Sequence, residues 1–269
     1  MATPSSFRCV ADRFDVGKGT AWRCLRKVCN ALYYHLHTFI KWPSNEETRT
    51  TISFIKNKFK FPNVIGAIDG THIKIDAPKD YPECYINRKG YSSLQLQVIC
   101  DQNLKFIHCY AGEAGSVHDM RVFKLSGVEK LCTDDNFPDD SHLLGDAAYS
   151  INKYIMVPFK NNGHLTESQN NFNKCLSSSG MMVERSIGLL KGRFRSLLDR
   201  LPMRRTDLIP KYIVCCCILH NICILRNDLI EIPLIVQSEE FSCESNILTQ
   251  QKKQEGLDKK NAIMYQLAL

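Results

Sequence analysis

The sequence contains no apolar segment long enough to cross a bilayer. Its longest apolar run, residues 212–225, is interrupted by His220 and Asn221 and falls short of the roughly 20 residues that a transmembrane helix needs. The first residues also lack the apolar region of a secretory signal. Internal repeats and low-complexity tracts are absent as well. We therefore expect a globular protein without a membrane association.

Disulfide bonds are not expected, although the 269 residues include 13 cysteines. These cysteines lie inside apolar patterns, such as residues 215–217, and no secretory signal precedes them. We interpret them as reduced thiols in an intracellular protein. Cys216, His220 and Cys223 share one face of a helical pattern, which could suit zinc. With only three ligands in a helix that is apolar all round, a buried core helix is the favoured interpretation.

A compact run of five or more basic residues, which could direct nuclear import, is also missing. The formal net charge is nevertheless +7, and residues 1–60 carry 11 Lys or Arg against 4 Asp or Glu. A second basic group lies between residues 185 and 205. Basic patches of this kind favour a polyanion such as nucleic acid, although charge alone fits a solvated surface equally well.

Residues 1–60 are predicted to form a helical, helix-turn-helix-like segment. Two helical patterns flank the turn signal DVGKGT, in which Thr20 is the expected N-cap. The second helix is expected to bury one apolar stripe: Trp22, Leu25, Val28 and Leu32. Its polar side carries Arg23, Arg26 and Lys27, which would contact DNA. Any helical hairpin would show the same spacing, so the pattern leaves both interpretations open.

Residues 61–226 are predicted to form an α/β domain with a mixed sheet. Three strand candidates come first, followed by helices that alternate with one further strand. The predicted elements are strands at 63–75, 92–101 and 105–113, a helix at 118–131, a strand at 141–150, a long helix at 179–201 and a buried helix near 212–225. Residues 227–269 are predicted to be a loosely ordered polar tail.

Acidic residues stand at the ends of several of these elements. Asp69 ends the first strand, before an expected turn at Gly70, and Asp146 ends a later one. Asp119 starts a helix, and Glu184 lies on the polar side of the long helix. Clustered carboxylates repel one another unless a cation lies between them, and their oxygens suit Mg²⁺ or Mn²⁺. Two such ions can activate water and stabilise the leaving oxygen of a phosphodiester, so the set favours a nuclease or strand-transfer enzyme.

The long helix is expected to combine packing with DNA contact. Its predicted apolar stripe consists of Val183, Ile187, Leu190, Phe194 and Leu197. Lys191 lies two turns after Glu184 and Arg195 one turn further on, so all three should share one face. Lys191, Arg193 and Arg195 are therefore the predicted contacts to DNA phosphates.

Six ordered blocks of the chain resemble the PIF/Harbinger transposase superfamily, especially the domesticated Harbinger transposase-derived nucleases of animals. The blocks are AIDGTHIKI, NRKGYSSLQLQVICD, AGSVHDMRVF, LLGDAAY, VERSIGLLKGRFR and ILHNI. The resemblance implies an RNase H-like DDE nuclease core behind a helix-turn-helix. It assigns the catalytic acids to Asp69, Asp146 and Glu184 and adds Asp119 as a metal ligand. Whether Asp119 or Asp146 is the second acid of the triad stays open.

The same resemblance implies a metal-dependent endonuclease that acts on DNA with Mg²⁺ or Mn²⁺. It also implies a separate Myb/SANT-like partner that assists DNA binding and nuclear entry, and hence a location in the nucleus as well as the cytoplasm. Gly180 and Ile187 depart from the residues usual in the helix block, and the first change removes a DNA or carboxylate contact. The alternative is a domesticated DNA- or protein-binding module without catalytic activity. The DNA target and the oligomeric state are not indicated.

Overall fold

The computed structural model describes residues 5–201, 203, 205–228 and 250–268. The chain begins with four helices: α1 Phe7–Arg13, α2 Lys18–Tyr34, α3 Leu36–Phe39 and α4 Asn45–Phe59. A mixed sheet and its flanking helices follow. Within the described ranges, no helix combines the length and the apolar character needed to cross a membrane.

The turn between α1 and α2 is present, but the cap of α2 differs from the prediction. The helix begins at Lys18, and Gly17 occupies the N-cap position. Thr20 is therefore not the cap. It lies inside the first turn, where its hydroxyl accepts a hydrogen bond from the Arg23 side chain at 3.2 Å.

The buried face of α2 is also rotated relative to the predicted stripe. Val28 is 51% exposed, whereas Cys29 is fully buried. Cys29 faces α8 (Ile209–Leu225), and its carbonyl oxygen accepts a hydrogen bond from the Cys215 thiol at 3.3 Å. Packing against α8 selects this face, and the hydropathy of α2 alone did not reveal it.

The predicted mixed sheet is confirmed, with five strands in the described part of the chain. They are β1 Val64–Lys74, β2 Ser93–Cys100, β3 Phe106–Ala114, β4 His142–Leu144 and β5 Ile155–Met156. Their order is β3-β2-β1-β4-β5. The first three strands form an antiparallel meander, while β4 and β5 run parallel to β1. A central β1 thus separates the antiparallel and parallel halves.

The two faces of the sheet are covered by different helices. Ala67 and Ile73 of β1 belong to the larger apolar cluster, which includes residues of the long helix α7 (Glu167–Arg193) and of α8. Ile68 belongs to the smaller one, with residues of α5 (Asp119–Leu125). Successive side chains of a strand point to opposite faces. Residues 67, 69, 71 and 73 therefore face α7, and residues 68, 70 and 72 face α5.

The long helix α7 spans Glu167–Arg193, earlier at both ends than the predicted 179–201. Thr166 and Gln169 form a reciprocal capping box that starts it. At the other end Phe194 leaves the helical conformation, with φ −113° and ψ 74°, and buries its ring. The five residues of the predicted apolar stripe are all buried, so the stripe is confirmed although the boundaries were wrong: Val183, Ile187, Leu190, Phe194 and Leu197.

Two polar residues in α8 are part of the core. His220 contacts the Leu104 carbonyl oxygen at 2.9 Å. The Asn221 amide accepts a hydrogen bond from the Phe106 amide at 2.8 Å and donates to the carbonyl oxygens of Phe106 and Phe39 at 2.7 and 2.8 Å. These bonds join α8 to β3 and to α3, which supports the buried core helix over the zinc interpretation.

The prediction of a loose tail over residues 227–269 is wrong for its final part, because Gln250–Gln266 form a packed helix, α9. The Lys259 ammonium donates to the carbonyl oxygens of Asp140, Ser141 and Lys153 and to the Asp140 carboxylate. Lys260 is buried, 3.7 Å from the centroid of the Phe159 ring. A loose tail would leave these two ammonium groups in solvent. In the structure their contacts hold α9 against the rest of the domain. The remainder of the predicted tail, 229–249, lies outside the described residues.

Candidate active site beside β1 and β4

Asp69 lies within β1 and not at its end. Gly70 does not turn the chain, as had been predicted, because it pairs with Gln97 of β2 and the strand continues to Lys74. The neighbouring β4, however, pairs with β1 only as far as Ala67. Asp69 is thus placed just beyond the point where the parallel half of the sheet stops. Its carboxylate accepts a hydrogen bond from the Gly70 amide at 2.7 Å.

Asp119 reaches β1 from the other face of the sheet. It is the first residue of α5, with His118 as the N-cap. A Cβ atom on Gly70 would lie only 2.8 Å from the Asp119 carboxylate. Glycine at position 70 therefore leaves room for this carboxylate against the strand, which explains the residue better than a turn does.

Asp146 stands in the turn that follows β4. Its carboxylate accepts a hydrogen bond from the Ala148 amide at 3.1 Å, and its carbonyl oxygen accepts one from the Tyr149 amide at 3.2 Å. This turn carries the Tyr149 ring back against the end of the sheet. A Cβ atom on Gly145 would lie 3.1 Å from that ring, so the small residue permits the close packing.

Tyr149 is buried at the end of the sheet, beside the turn that carries Asp146. Its ring is 3% exposed, and its hydroxyl accepts a hydrogen bond from the Gln97 amide at 3.3 Å. Burial, followed by the negative charges of Asp119, Asp69 and Asp146 in that order, raises the pKa of Tyr149 well above its ordinary value.

Glu184 projects from α7, which covers the face of β1 that carries Asp69. The Lys191 ammonium donates to the Thr71 hydroxyl at 2.7 Å and more weakly to the His72 carbonyl oxygen at 3.4 Å. Thr71 and Asp69 are two residues apart and leave the same face of the strand. Glu184 lies two helical turns before Lys191 and shares its side of the helix. Burial raises the pKa of Glu184 above its ordinary value.

The predicted DNA-contacting residues of α7 differ in their surroundings. Lys191 is half-buried and bonded to β1 as described. The Arg193 side chain is 9% exposed and forms an ion pair with Asp228 at 2.7 Å. Arg195 is exposed but follows the end of α7, so it does not continue the helical face of Glu184 and Lys191. The predicted common face is therefore wrong for Arg195. Phosphate contact by the three cations remains a prediction.

The N-terminal cations are more accessible. Arg23, Arg26 and Lys27 are all exposed on α2, and the Arg26 guanidinium lies 5.5 Å from the centroid of the Trp22 ring. A guanidinium over an indole is held by a cation–π interaction. These side chains face solvent as predicted, and their contact with DNA remains a prediction.

Two cations of a turn that contacts His118 were not singled out from the sequence. Arg88 and Lys89 lie in a tight turn, in which the Asn87 side-chain oxygen accepts a hydrogen bond from the Lys89 amide at 2.9 Å. The Arg88 guanidinium contacts the His118 ring, with its nearest nitrogen at 2.9 Å. His118 immediately precedes Asp119. The block NRKGYSS contained the signal, because its Asn and Gly are typical turn residues that flank two cations.

The histidines near the aspartates make structural contacts. His118 occupies the N-cap position of α5 and contacts Arg88, so it helps to order the turn before Asp119. The Nδ1 atom of His72 lies 3.1 Å from the Ser93 hydroxyl. This contact joins β1 to β2 next to the site.

The donor chemistry of this site fits a hard divalent cation, since it consists of carboxylate oxygens. The buried Gln97 side chain adds a carbonyl oxygen, Oε1, for which the described residues provide no hydrogen-bond partner. In the ranges that the structure covers, however, no three His, Cys, Asp or Glu side chains are grouped closely enough to hold an ion. Asp69 and Asp119 approach β1 from opposite faces. Coordination would therefore require the carboxylates to turn toward a common point.

Comparison with known proteins identifies the family. Residues 68–221, more than half of the chain, match the family described as DDE superfamily endonuclease. The chain belongs to the DDE endonuclease superfamily. The match begins one residue before Asp69 and includes Asp119, Asp146 and Glu184. The five-stranded mixed sheet with its helices is consistent with a DDE nuclease core.

Relatives of this chain include proteins of animals and of plants. The chain is 29% identical over 233 residues to "Putative nuclease HARBI1" of Rattus norvegicus and 28% identical over 233 residues to the protein of the same name in Homo sapiens. Each alignment covers 82% of this chain and 63% of the relative. "Protein ALP1-like" of Arabidopsis thaliana is 27% identical, with 85% and 59% covered. The predicted resemblance to Harbinger transposase-derived nucleases is confirmed.

The chain spans less than two thirds of the length of these curated relatives. No solved structure matches it.

Proposed function

We propose that this protein is a divalent-metal-dependent endonuclease that hydrolyses phosphodiester bonds of DNA. One arrangement carries the proposal: Asp69 in β1, Asp119 against Gly70 and Asp146 in the turn after β4 all stand around the point where β4 stops beside β1. Gathering like charges is unfavourable for folding, so such a cluster favours a function that needs it. Membership of the DDE endonuclease superfamily supplies the reaction class.

Asp69, Asp146 and Glu184 are the proposed catalytic acids, and Asp119 is a further ligand. A bound Mg²⁺ or Mn²⁺ would lower the pKa of an attacking water and neutralise charge on the phosphate. The protein itself supplies the placement of the acids. Asp69 is fixed by β1, and the bond from Lys191 to Thr71 holds α7 with Glu184 over the same face of that strand.

DNA phosphates must approach the acidic cluster against its negative charge, so cations are needed beside it. We infer that Arg88 and Lys89 supply them. Their turn is fixed by Asn87, and Arg88 reaches the residue that precedes Asp119. Arg195, which is exposed at the end of α7, is a further candidate. Lys191 and Arg193 would have to exchange their present contacts with Thr71 and Asp228 for phosphate oxygens.

Binding of DNA outside the reaction centre is proposed for α2, through Arg23, Arg26 and Lys27. The two consecutive helices α1 and α2, with the exposed cations of α2, and the basic excess of residues 1–60 support this assignment. We also propose a Myb/SANT-like partner protein and a location in nucleus and cytoplasm, because the resemblance to Harbinger-derived nucleases implies them. Fluorescent fusions expressed with and without such a partner test this, and equal nuclear signal in both cases would contradict it.

A plasmid-nicking assay tests the proposed reaction. We expect the full chain to cut supercoiled DNA with Mn²⁺ or Mg²⁺ and to lose this activity in EDTA and in Asp69→Asn. Glu129→Gln, an exposed acid in α6 (Val128–Leu131), is the control and should cut at the parental rate. A folded parent that binds DNA but does not cut it with either ion would instead support the binding module without catalysis.

A further inference from the structure

Tyr149 is buried beside the turn that carries Asp146 and is bonded to Gln97 of β2, yet the reaction outlined above does not use it. Its ring is held on several sides. It packs against Phe123 with centroids 6.2 Å apart, and it lies close to Gly145 and Ile68 at the end of the sheet. The ring is therefore fixed independently of its hydroxyl, which is a requirement for a group that orients others.

The hydroxyl has one identified donor. Gln97, on the adjacent β2, is 1% exposed and donates its amide hydrogen to the Tyr149 oxygen at 3.3 Å. A phenol whose oxygen accepts a hydrogen bond still has its own proton to donate. Gln97 pairs with Gly70 across β2 and β1, and the Asp119 carboxylate lies against Gly70 on the same face of the sheet. The Gln97–Tyr149 pair and Asp119 therefore meet at the same level of β1, and burial followed by the negative charge of Asp119 raises the pKa of Tyr149.

A tyrosine hydroxyl suits this role because it donates a hydrogen bond while uncharged. A neutral donor among like charges lessens their repulsion and adds no positive charge. A lysine in the same place would compete with a cation for the carboxylates.

We propose that Tyr149, oriented by Gln97, is a positioning residue that donates its hydroxyl proton to the aspartate cluster and holds Asp119 ready for a divalent cation. The inference rests on the proposed function where it concerns the cation. Hydrogen bonds from outside the ligand set commonly change metal affinity by about 10- to 100-fold.

The first test is independent of metal. Tyr149→Phe, Asp119→Asn and the double variant form a cycle that is measured by urea unfolding without divalent ions. We expect Tyr149→Phe to lower the unfolding midpoint clearly in the parent and much less in the Asp119→Asn background, because the acceptor charge has gone. Equal shifts in the two backgrounds would overturn the donation to Asp119.

The matched control is Tyr212→Phe. Tyr212 is also a buried tyrosine, and its hydroxyl lies 2.8 Å from the Ser196 hydroxyl, bonded away from the acids. Tyr212→Phe should lower the midpoint to the same degree with or without Asp119→Asn. Coupling of Tyr212→Phe to Asp119→Asn would show that the cycle reports a general loss of packing, and it would overturn the assignment to Tyr149.

The second test is Mn²⁺ titration by calorimetry of the full chain. We expect Tyr149→Phe to weaken Mn²⁺ binding about 10-fold or more, Gln97→Leu to weaken it to a smaller degree and Tyr212→Phe to leave it unchanged. Parental affinity in Tyr149→Phe would overturn the positioning role. A parent that binds no Mn²⁺ would refute the proposed function, while the urea cycle would still decide whether Tyr149 holds the aspartates.

Discussion

Two buried amides show how differently the two halves of the molecule treat polar groups. Asn221 in α8 has hydrogen bonds on both its oxygen and its nitrogen, which link three parts of the core. Gln97 in β2 is equally buried, but its only identified bond goes to Tyr149, and its oxygen has no partner among the described residues. Buried polar groups whose hydrogen bonds are all formed stabilise a fold, whereas a buried polar atom without a partner costs stability. The contrast indicates that Asn221 serves the cohesion of the core, whereas Gln97 leaves a polar atom available beside the candidate site.

The largest effect is expected from exchanging the two amides for an apolar side chain. Asn221→Leu should lower the free energy of unfolding by about 3 kcal/mol, because it leaves buried backbone groups of Phe106 and Phe39 without hydrogen-bond partners. Gln97→Leu should cost less than about 1 kcal/mol, since it removes one long bond and one orphaned oxygen. Urea unfolding monitored by circular dichroism measures both. Equal losses in the two variants would erase the distinction between the regions.

Acid should weaken the α8 region through His220. Burial is the main cause that lowers the pKa of His220 from 6.5 to about 4. The folded state therefore binds this proton only at a lower pH than the unfolded state does. Stability is therefore retained above pH 6.5 and falls as the pH drops from 6.5 toward 4, by about 3 kcal/mol in total. His220→Gln should flatten this part of the unfolding free energy against pH. An unchanged acid slope in the variant would assign the loss to other buried groups.

Relief of charge at the site should have a smaller effect of opposite sign. Asp69→Asn keeps an oxygen for the Gly70 amide but removes one negative charge from the cluster. Without divalent ions we expect it to gain about 1 kcal/mol of stability, as often happens when a functional residue is neutralised. A loss of stability would mean that other groups of the folded protein already offset the repulsion between the aspartates. The site would then not lower the stability of the fold.

The smallest effect on stability is expected on α2. Arg23→Gln, Arg26→Gln and Lys27→Gln combined should leave the melting temperature nearly unchanged, because all three side chains are exposed. Each lost phosphate contact should reduce the slope of log affinity for duplex DNA against log salt by roughly 0.9. Deletion of the segment is a poorer experiment, since Cys29 is buried against α8 and its removal would uncover the core. An unchanged salt slope would make α2 a structural or protein-binding element.

Periodicity and family resemblance predicted the mixed sheet, the buried α8 and the apolar stripe of α7. They failed where a distant contact decides the outcome. Hydropathy of α2 could not show which face meets α8, and the charges of α9 concealed that Lys259 and Lys260 bind inside the fold. At the site, the resemblance supplied the acids, but Gly70 was read as a turn because its close neighbour Asp119 is 49 positions away. Tyr149 became a candidate only through contacts that no spacing reveals, whereas the turn residues around Arg88 were a signal in the sequence that was not used.

The most direct measurement of the central claim is calorimetric titration of the full chain with Mn²⁺, alongside Asp69→Asn, Asp146→Asn and the Glu129→Gln control. The account predicts saturable binding by the parent and the control, and its loss in each aspartate variant while the variants remain folded. Absence of binding by the folded parent, or binding that survives both aspartate substitutions, would contradict a metal-dependent site at the ends of β1 and β4.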